Sequence, residues 1–331
     1  MTTYKGINGF AVQSVASDPS PSDEGQVWYN NATYVFKLSA ATTTDAWASG
    51  GNLNTARAQL KGAGSSQNDS LVFGGTLGVP VISAASEAYN GTAWTNTPSM
   101  NTAKMGFYGC GNTQTAALAF GGITNPYVNV TAASESWNGT SWTNTPSLNT
   151  AKRNTDGFGT NTAAIVTGGS QAPGAQFFAT ESWNGSTWTN IPATIPISNA
   201  GCSFGTQTAG IMAGAGPALN QTLSFNGSAW TTSPALLNTA RVGAVPAGTQ
   251  TAGLIAGGNI SPPPFNSNAT ESWNGSSWTS LTNMATSRRE SGGNGIKTSS
   301  LVAGGFSTAN TTATEEFTAA GTPVTKTITT S

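Results

Sequence analysis

Trp137-Asn138-Gly139-Thr140-Ser141-Trp142 decides the fold, because the chain writes this hexapeptide five times. It returns as Tyr89 to Trp94, Trp183 to Trp188, Phe225 to Trp230 and Trp273 to Trp278, and the leading aromatics are spaced 48, 46, 42 and 48 residues apart. A partial sixth copy ends the series at Glu315-Glu316-Phe317. Two other marks keep the same rhythm. A glycine pair follows an apolar run at Gly74-Gly75, Gly121-Gly122, Gly168-Gly169, Gly257-Gly258 and Gly304-Gly305, with Ala213-Gly214 as a weaker copy. Leu53-Asn54-Thr55-Ala56-Arg57 recurs at Met100 to Lys104, Leu148 to Lys152, Leu237 to Arg241 and Met284 to Arg288, and a degraded copy lies near Ile197 to Gly201. Each mark occurs six times, which defines six units.

Each unit reads as four short strands. In the third, strand a covers about 153–159 and strand b is the apolar run Ala163 to Val166. Strand c is Thr180 to Trp183 and strand d starts near Trp188. Asn184-Gly185 between c and d predicts a two-residue type I′ hairpin, which needs positive φ at both positions. No segment sustains a 3.6-residue apolar period, so no long helix is expected. Six units of four strands predict an all-β chain folded as a β-propeller. With a glycine pair after strand b and two spaced aromatics flanking the c–d turn, residues 45–318 resemble kelch-type propellers. The sixth unit has no Asn-Gly-x-x-Trp, whereas a free Asp45-Ala46-Trp47 precedes the first unit. Trp47 is therefore expected to start strand d of the sixth blade, so that the N-terminal strand closes the ring.

The repeated side chains follow from the hairpin. With a two-residue loop, Trp137 opposes Thr140 and Glu135 opposes Trp142, and alternation puts Glu135, Trp137 and Trp142 on one face. The tryptophans are then core. The acids Glu87, Glu135, Glu181, Glu271 and Glu315 recur, as do the bases Arg57, Lys104, Lys152, Arg241 and Arg288. The fourth unit lacks both, with Leu223 for the acid and Gly201 for the base. A buried charge without its partner is costly, so joint loss marks these ten residues as structural ion pairs.

Composition excludes much chemistry. Of 331 residues only 8% are charged, against roughly 25% in ordinary soluble domains, and histidine is absent. There is no Ser-His-Asp triad, Cys-His pair or imidazole metal ligand. Cys110 and Cys202 occupy non-equivalent positions, so they are expected as buried thiols without a disulfide. No metal and no cofactor are implied. A net charge of −1 with 12 scattered basic residues offers no phosphate-binding stripe, so no nucleic-acid partner is expected. The start, Met1 to Gly6, has no signal-type apolar stretch, and no run reaches membrane-helix length, so no membrane insertion is expected. Glycoside hydrolysis needs two facing carboxylates. Asp156 and Glu290 fall in strand a of opposite units, but they read as solvated or locally bonded acids, and no enzyme is expected.

The b–c connections vary most between units, and they carry Tyr127, Phe177, Phe178 and Phe265. Aromatics on loops of a rigid scaffold suit a sugar or a protein partner. Residues 1–44 lie outside the repeats, with a hairpin expected around Asn30-Asn31 and Trp28, Tyr29, Tyr34 and Phe36 as anchoring side chains. Residues 319–331 form a polar tail with room for one more strand. Gly25-Gln26-Val27-Trp28-Tyr29-Asn30 resembles short β segments of bacteriophage tail and fibre proteins. Followed by Thr/Asn/Gly-rich kelch-like repeats, the chain resembles propeller proteins of phage virions. That resemblance implies a structural protein of the virion, oligomeric through assembly, anchored by its arm to other virion proteins and contacting host-surface glycan or a virion neighbour. A lectin-like module of a bacterial surface is the alternative.

Overall fold

The structure, a computed structural model, describes residues 12–19, 26–42, 44–78, 80–124, 129–171, 175–196, 201–216, 219–263, 265–321 and 323–328. Among them no residue is helical. The chain divides into two compact units, one spanning Trp47–Phe317 and one made from the two ends.

The larger unit consists of four-stranded antiparallel sheets consistent with a β-propeller. We label the sheets I to VI and their strands a to d. The a strands are Lys61–Ser66, Tyr108–Thr113, Asp156–Gly159, Cys202–Thr206, Val245–Thr249 and Gly292–Ile296. Sheet II shows the plan, with Tyr108–Thr113, Ala116–Phe120, Ser134–Trp137 and Trp142–Thr145 in that order. In sheet VI, Gly292–Ile296, Ser299–Ala303 and Thr314–Thr318 are joined by Ala46–Gly50 as the fourth strand. Each a strand lies beside the a strands of the preceding and following sheets, and that of sheet I lies beside that of sheet VI.

The b strands are apolar on both faces and buried on both, as in Leu71-Val72-Phe73 and Leu118-Ala119-Phe120. Five of the six are followed by the glycine pair, where the turn takes positive φ twice, 66° at Gly74 and 99° at Gly75, whereas sheet IV has Gly214-Ala215 with positive φ at Gly214 alone. A Cβ on Gly75 would stand 2.4 Å from the Ala58 carbonyl. The pair stitches neighbouring sheets together. Gly75 N–H donates to the carbonyl of Lys104 at 3.0 Å, Gly122 to Lys152 at 2.9 Å, Gly258 to Arg288 at 2.9 Å and Gly305 to Arg57 at 2.8 Å.

The basic side chains turn into their own sheets. Arg57 donates from Nη1 to the carbonyls of Gly74 at 3.0 Å and Ala85 at 2.6 Å, and from Nη2 to Glu87 at 2.8 Å. Lys104 meets Glu135 at 3.1 Å and Lys152 meets Glu181 at 2.8 Å, and Arg241–Glu271 and Arg288–Glu315 complete the set. All ten residues are buried. The second carboxylate oxygen accepts a backbone N–H from the loop that carries the base, Asn54 to Glu87 at 2.7 Å and Asn101 to Glu135 at 2.7 Å. Burial lowers the pKa of Arg57, Lys104 and Arg288, and the facing glutamate opposes that shift.

Sheet IV differs. Leu223 sits at the acid position and packs on Ile195 and Met212, all three buried. Its loop from Ile195 to the a strand is one residue shorter than the others. Gly201 directly precedes the a strand, as Leu60 does in sheet I, so it does not occupy the basic position. The residues that would do so, at 198–199, lie outside the described residues.

The hairpin register also departs from expectation. Trp137 pairs with Trp142 and Glu135 with Asn144, which leaves four residues in the loop. Asn138 Oδ1 accepts the N–H groups of Thr140 and Ser141, both at 2.9 Å, and of the Asn-Gly pair only Gly139 has positive φ. An Asx turn thus replaces the type I′ turn, because the Asn side chain supplies acceptors that a two-residue loop would not need. The tryptophans still share a face and are core, at 1% and 5% exposure. The second Trp reaches back to the preceding sheet. Trp142 Nε1 donates to Ser86 Oγ at 3.1 Å, Trp94 to Thr314 Oγ1 at 3.0 Å and Trp278 to Thr222 Oγ1 at 2.9 Å. Trp47, on the strand borrowed from the N-terminal side, makes the same bond to Thr270 Oγ1 at 3.0 Å.

The smaller unit is one sheet, with Gln13–Val15 parallel to Val27–Asn30, which pairs with Val35–Ala41, which pairs with Pro323–Ile328. The C-terminal stretch is thus a strand of the same sheet as the N-terminal hairpin. Asp18 organises it, accepting from Trp28 Nε1 at 3.1 Å, Asn30 Nδ2 at 2.7 Å and Lys37 Nζ at 2.6 Å. These donors hold its carboxyl down at about 2.

Sheet IV shows how the ion pair can be replaced. Glu135→Leu alone leaves Lys104 buried without its partner and should cost about 3–5 kcal/mol. Adding Lys104→Met should restore more than half of that loss in urea unfolding. Equal instability of the single and double variants would contradict the pairing.

Candidate functional site

The first paired residue of each a strand occupies one equivalent position. It is Lys61 opposite Phe73, Tyr108 opposite Phe120, Asp156 opposite Thr167, Cys202 opposite Ala213, Val245 opposite Ala256 and Gly292 opposite Ala303. The chemistry at this position changes from sheet to sheet. Four successive sheets place an amine, a phenol, a carboxyl and a thiol here.

These four side chains share one environment. Lys61 Nζ lies over the Tyr108 ring, 5.2 Å from its centroid. Tyr108 donates its hydroxyl to the carbonyl of Ser203 at 3.1 Å. Burial lowers the pKa of Lys61, and the charges of Asp156, Cys202 and Glu290 oppose the fall. Burial pushes Asp156 up to about 6, against the pull of the Ser203 hydroxyl beside it, the Gly157 N–H, Lys61 and the Gly201 N–H. Gly157 N–H donates to Asp156 Oδ1 at 3.0 Å. Oδ2 lies so close to Gly201 that a Cβ there would stand 2.6 Å from it. Gly201 is glycine because the carboxyl needs that space. Cys202 and Cys110 are buried thiols pushed up to about 12, chiefly by burial, and are not thiolates at neutral pH.

A cavity of about 150 Å³ runs between the a strands of all six sheets. Glycines supply much of its wall, and Lys61 and Tyr108 face it. Thr155 Oγ1 and Asn294 Oδ1 belong to lining residues that are buried, and neither has a hydrogen-bond partner. Among the described residues no carboxylate comes within ion-pair distance of Lys61. The arrangement can hold a small polar guest.

The acids singled out from sequence fall differently. Asp156 is 1% exposed, so it is locally bonded but not solvated. Glu290 lies two residues before its a strand at a positive φ of 57°. Its carbonyl accepts from Gln59 N–H at 2.7 Å. No hydrogen bond joins the two acids among the described residues. Of the loop aromatics, Tyr127 lies outside the described residues. Phe177 is half-buried, Phe178 is 42% exposed and Phe265 is 48% exposed, and no ring contact joins them. Of the anchoring aromatics, Trp28 is fully buried inside its own sheet and has no surface to offer a partner. Tyr34 is 78% exposed, and Tyr29 and Phe36 pack at 5.1 Å between ring centroids.

Lys61 and Tyr108 were legible in the sequence but needed one further step. Counting four residues on from Arg57, Lys104 and Lys152 gives Lys61, Tyr108 and Asp156. The shortened loop of sheet IV hides Cys202 from that count. No protein-family model matches the chain, and a search of the curated proteins finds no match.

The raised pKa of Asp156 fixes a sign. A carboxyl that binds its proton more tightly when folded stabilises the fold below its unfolded value near 4. That contribution fades as pH rises to about 6. Asp156→Asn should therefore match the wild type near pH 4 and exceed it above pH 6, by on the order of 3 kcal/mol. Urea unfolding of both proteins across this range measures the difference. A difference independent of pH would contradict the shift.

Proposed function

We propose that the chain is a bacteriophage virion protein. In this reading the six sheets are the blades of a closed, kelch-like propeller, displayed by a small sheet built from both ends of the chain. The blade reading is supported by the cyclic adjacency of the a strands, the Gly305–Arg57 bond and the place of Trp47 in sheet VI. One observation carries the display reading. Val35–Ala41 pairs directly with Pro323–Ile328, so the chain enters and leaves the larger unit through a single small sheet. Such a double attachment suits a rigid body carried on a larger assembly. The exposed Tyr34 and Phe36 are the side chains that sheet offers a neighbour. An exterior of Thr, Ser, Asn and Gly with few charges suits a protein that works outside cells. The exposed Phe178 and Phe265 and the half-buried Phe177 offer contacts to host-surface glycan or a virion neighbour. The same exposed rings favour the second reading, a lectin-like module of a bacterial surface. Neither reading assigns the chain a catalytic step.

Cryo-electron microscopy of the source particle tests the proposal. The expected result is a six-bladed disc on the particle with Tyr34 and Phe36 buried against a neighbour. Tyr34→Ser with Phe36→Ser should remove the disc from particles while the isolated chain melts unchanged. Absence of such density from every intact particle would overturn the virion reading, and glycan-array binding by the isolated chain would then support the lectin-like one.

A further inference from the structure

We infer that the cavity between the a strands is a binding site for one compact oxyanion, a carboxylate or phosphate of about six non-hydrogen atoms or fewer, held by Lys61. The inference rests on the cavity and not on the virion reading. Lys61 is the reason. Its side chain is half-buried and lines the cavity, its ammonium lies over the Tyr108 ring, and among the described residues it has no ion-pair partner. Every repeated base in this protein has a buried glutamate within ion-pair distance. Lys61 is a base facing the cavity for which the repeat supplies no glutamate, so an anion entering the cavity would meet an unpaired ammonium.

The cavity supplies what an anion needs besides charge. Thr155, 3% exposed, lines it with a hydroxyl that has no other partner, and the Ser203 hydroxyl, also in its wall, is shared with Asp156. Its volume of about 150 Å³ equals that of a cavity that admits a single benzene-sized guest. A pyranose with its hydroxyls is larger. The walls mix apolar side chains such as Phe158, Phe204 and Val245 with Lys61, Asn294 and the backbone groups of many glycines, so the polar end of a guest has partners there.

Asp156 then acts as the site's competitor. The groups facing Lys61 are Asp156, Cys202 and Glu290, with Tyr108 beneath it and Arg241 near Cys202. The thiols and the phenol stay neutral at ordinary pH. Below about pH 6 Asp156 is neutral and Lys61 is free to bind a guest. Above it the carboxylate repels an incoming anion. Affinity should therefore be greater at acid pH.

Calorimetric titration of the full chain with formate and with inorganic phosphate, each against chloride at equal ionic strength, tests the site at pH 5.2 and 7.5. Saturable one-to-one binding at pH 5.2, weakened about tenfold at pH 7.5, is expected. Formate alone, phosphate alone, or both binding would identify the guest as a carboxylate, a phosphate or either. Lys61→Met should abolish binding, and Asp156→Asn should retain the acid-pH affinity at pH 7.5. Should Lys61→Met fail to fold, Thr155→Val takes its place and should weaken binding several-fold. Neither oxyanion binding more tightly than chloride, or wild-type affinity in the substituted proteins, would overturn the inference.

Discussion

The buried base at the end of each Leu-Asn-Thr-Ala-Arg loop holds the larger unit together at two scales. Its side chain fastens its own sheet, reaching the glycine-pair carbonyl and the acid on strand c. Its backbone carbonyl receives the second glycine of the sheet before it. One residue thus couples the interior of a sheet to the seam between sheets. A buried ion pair adds little stability beyond what a good apolar replacement would give, and in sheet IV Leu223 takes the acid's position and packs on Met212 and Ile195. What the pair adds is position. An arginine that must satisfy three acceptors at once admits few arrangements of the loop.

The marks that repeat were the legible part. Glycine pairs, paired tryptophans and the Asn-Gly turn announced a sheet-per-unit architecture, because each answers a local steric or hydrogen-bonding demand that sequence expresses directly. The exact turn was less legible. Asn-Gly satisfies a type I′ loop and an Asx turn equally well, and only Asn138 Oδ1, engaged with two backbone N–H groups, separates them. The C-terminal strand was legible as room for one more strand, but its partner was not. Pro323–Ile328 has no apolar alternation of its own and is a strand because Val35–Ala41 supplies a partner edge. Gly201 misled because a one-residue deletion in a loop shifts every count made along the chain while leaving the sheet register intact.

The cavity illustrates how an asymmetric site arises in a repeated scaffold. The glycine-pair, base, acid and tryptophan positions recur because each answers the same local demand within or between sheets. The first paired position of the a strands meets no such common demand and differs from sheet to sheet. Lysine, tyrosine, aspartate and cysteine there do not disturb the packing behind them. A motif search rewards similarity between units and so passes over the one position whose use depends on dissimilarity.

The fourth strand of sheet VI, Ala46–Gly50, comes from the beginning of the repeats, and its partner Thr314–Thr318 comes from their end. During synthesis five sheets can assemble as they leave the ribosome, each from consecutive sequence. The sixth must wait, with one of its four strands made first and the other three made last. The slow step of folding is then a loop closure spanning nearly the whole chain, and its entropy grows only logarithmically with length. Until that strand is captured, Thr314–Thr318 presents an unpaired edge that a second nascent copy could occupy, so dilution or a chaperone that shields this edge would govern the yield of folded protein.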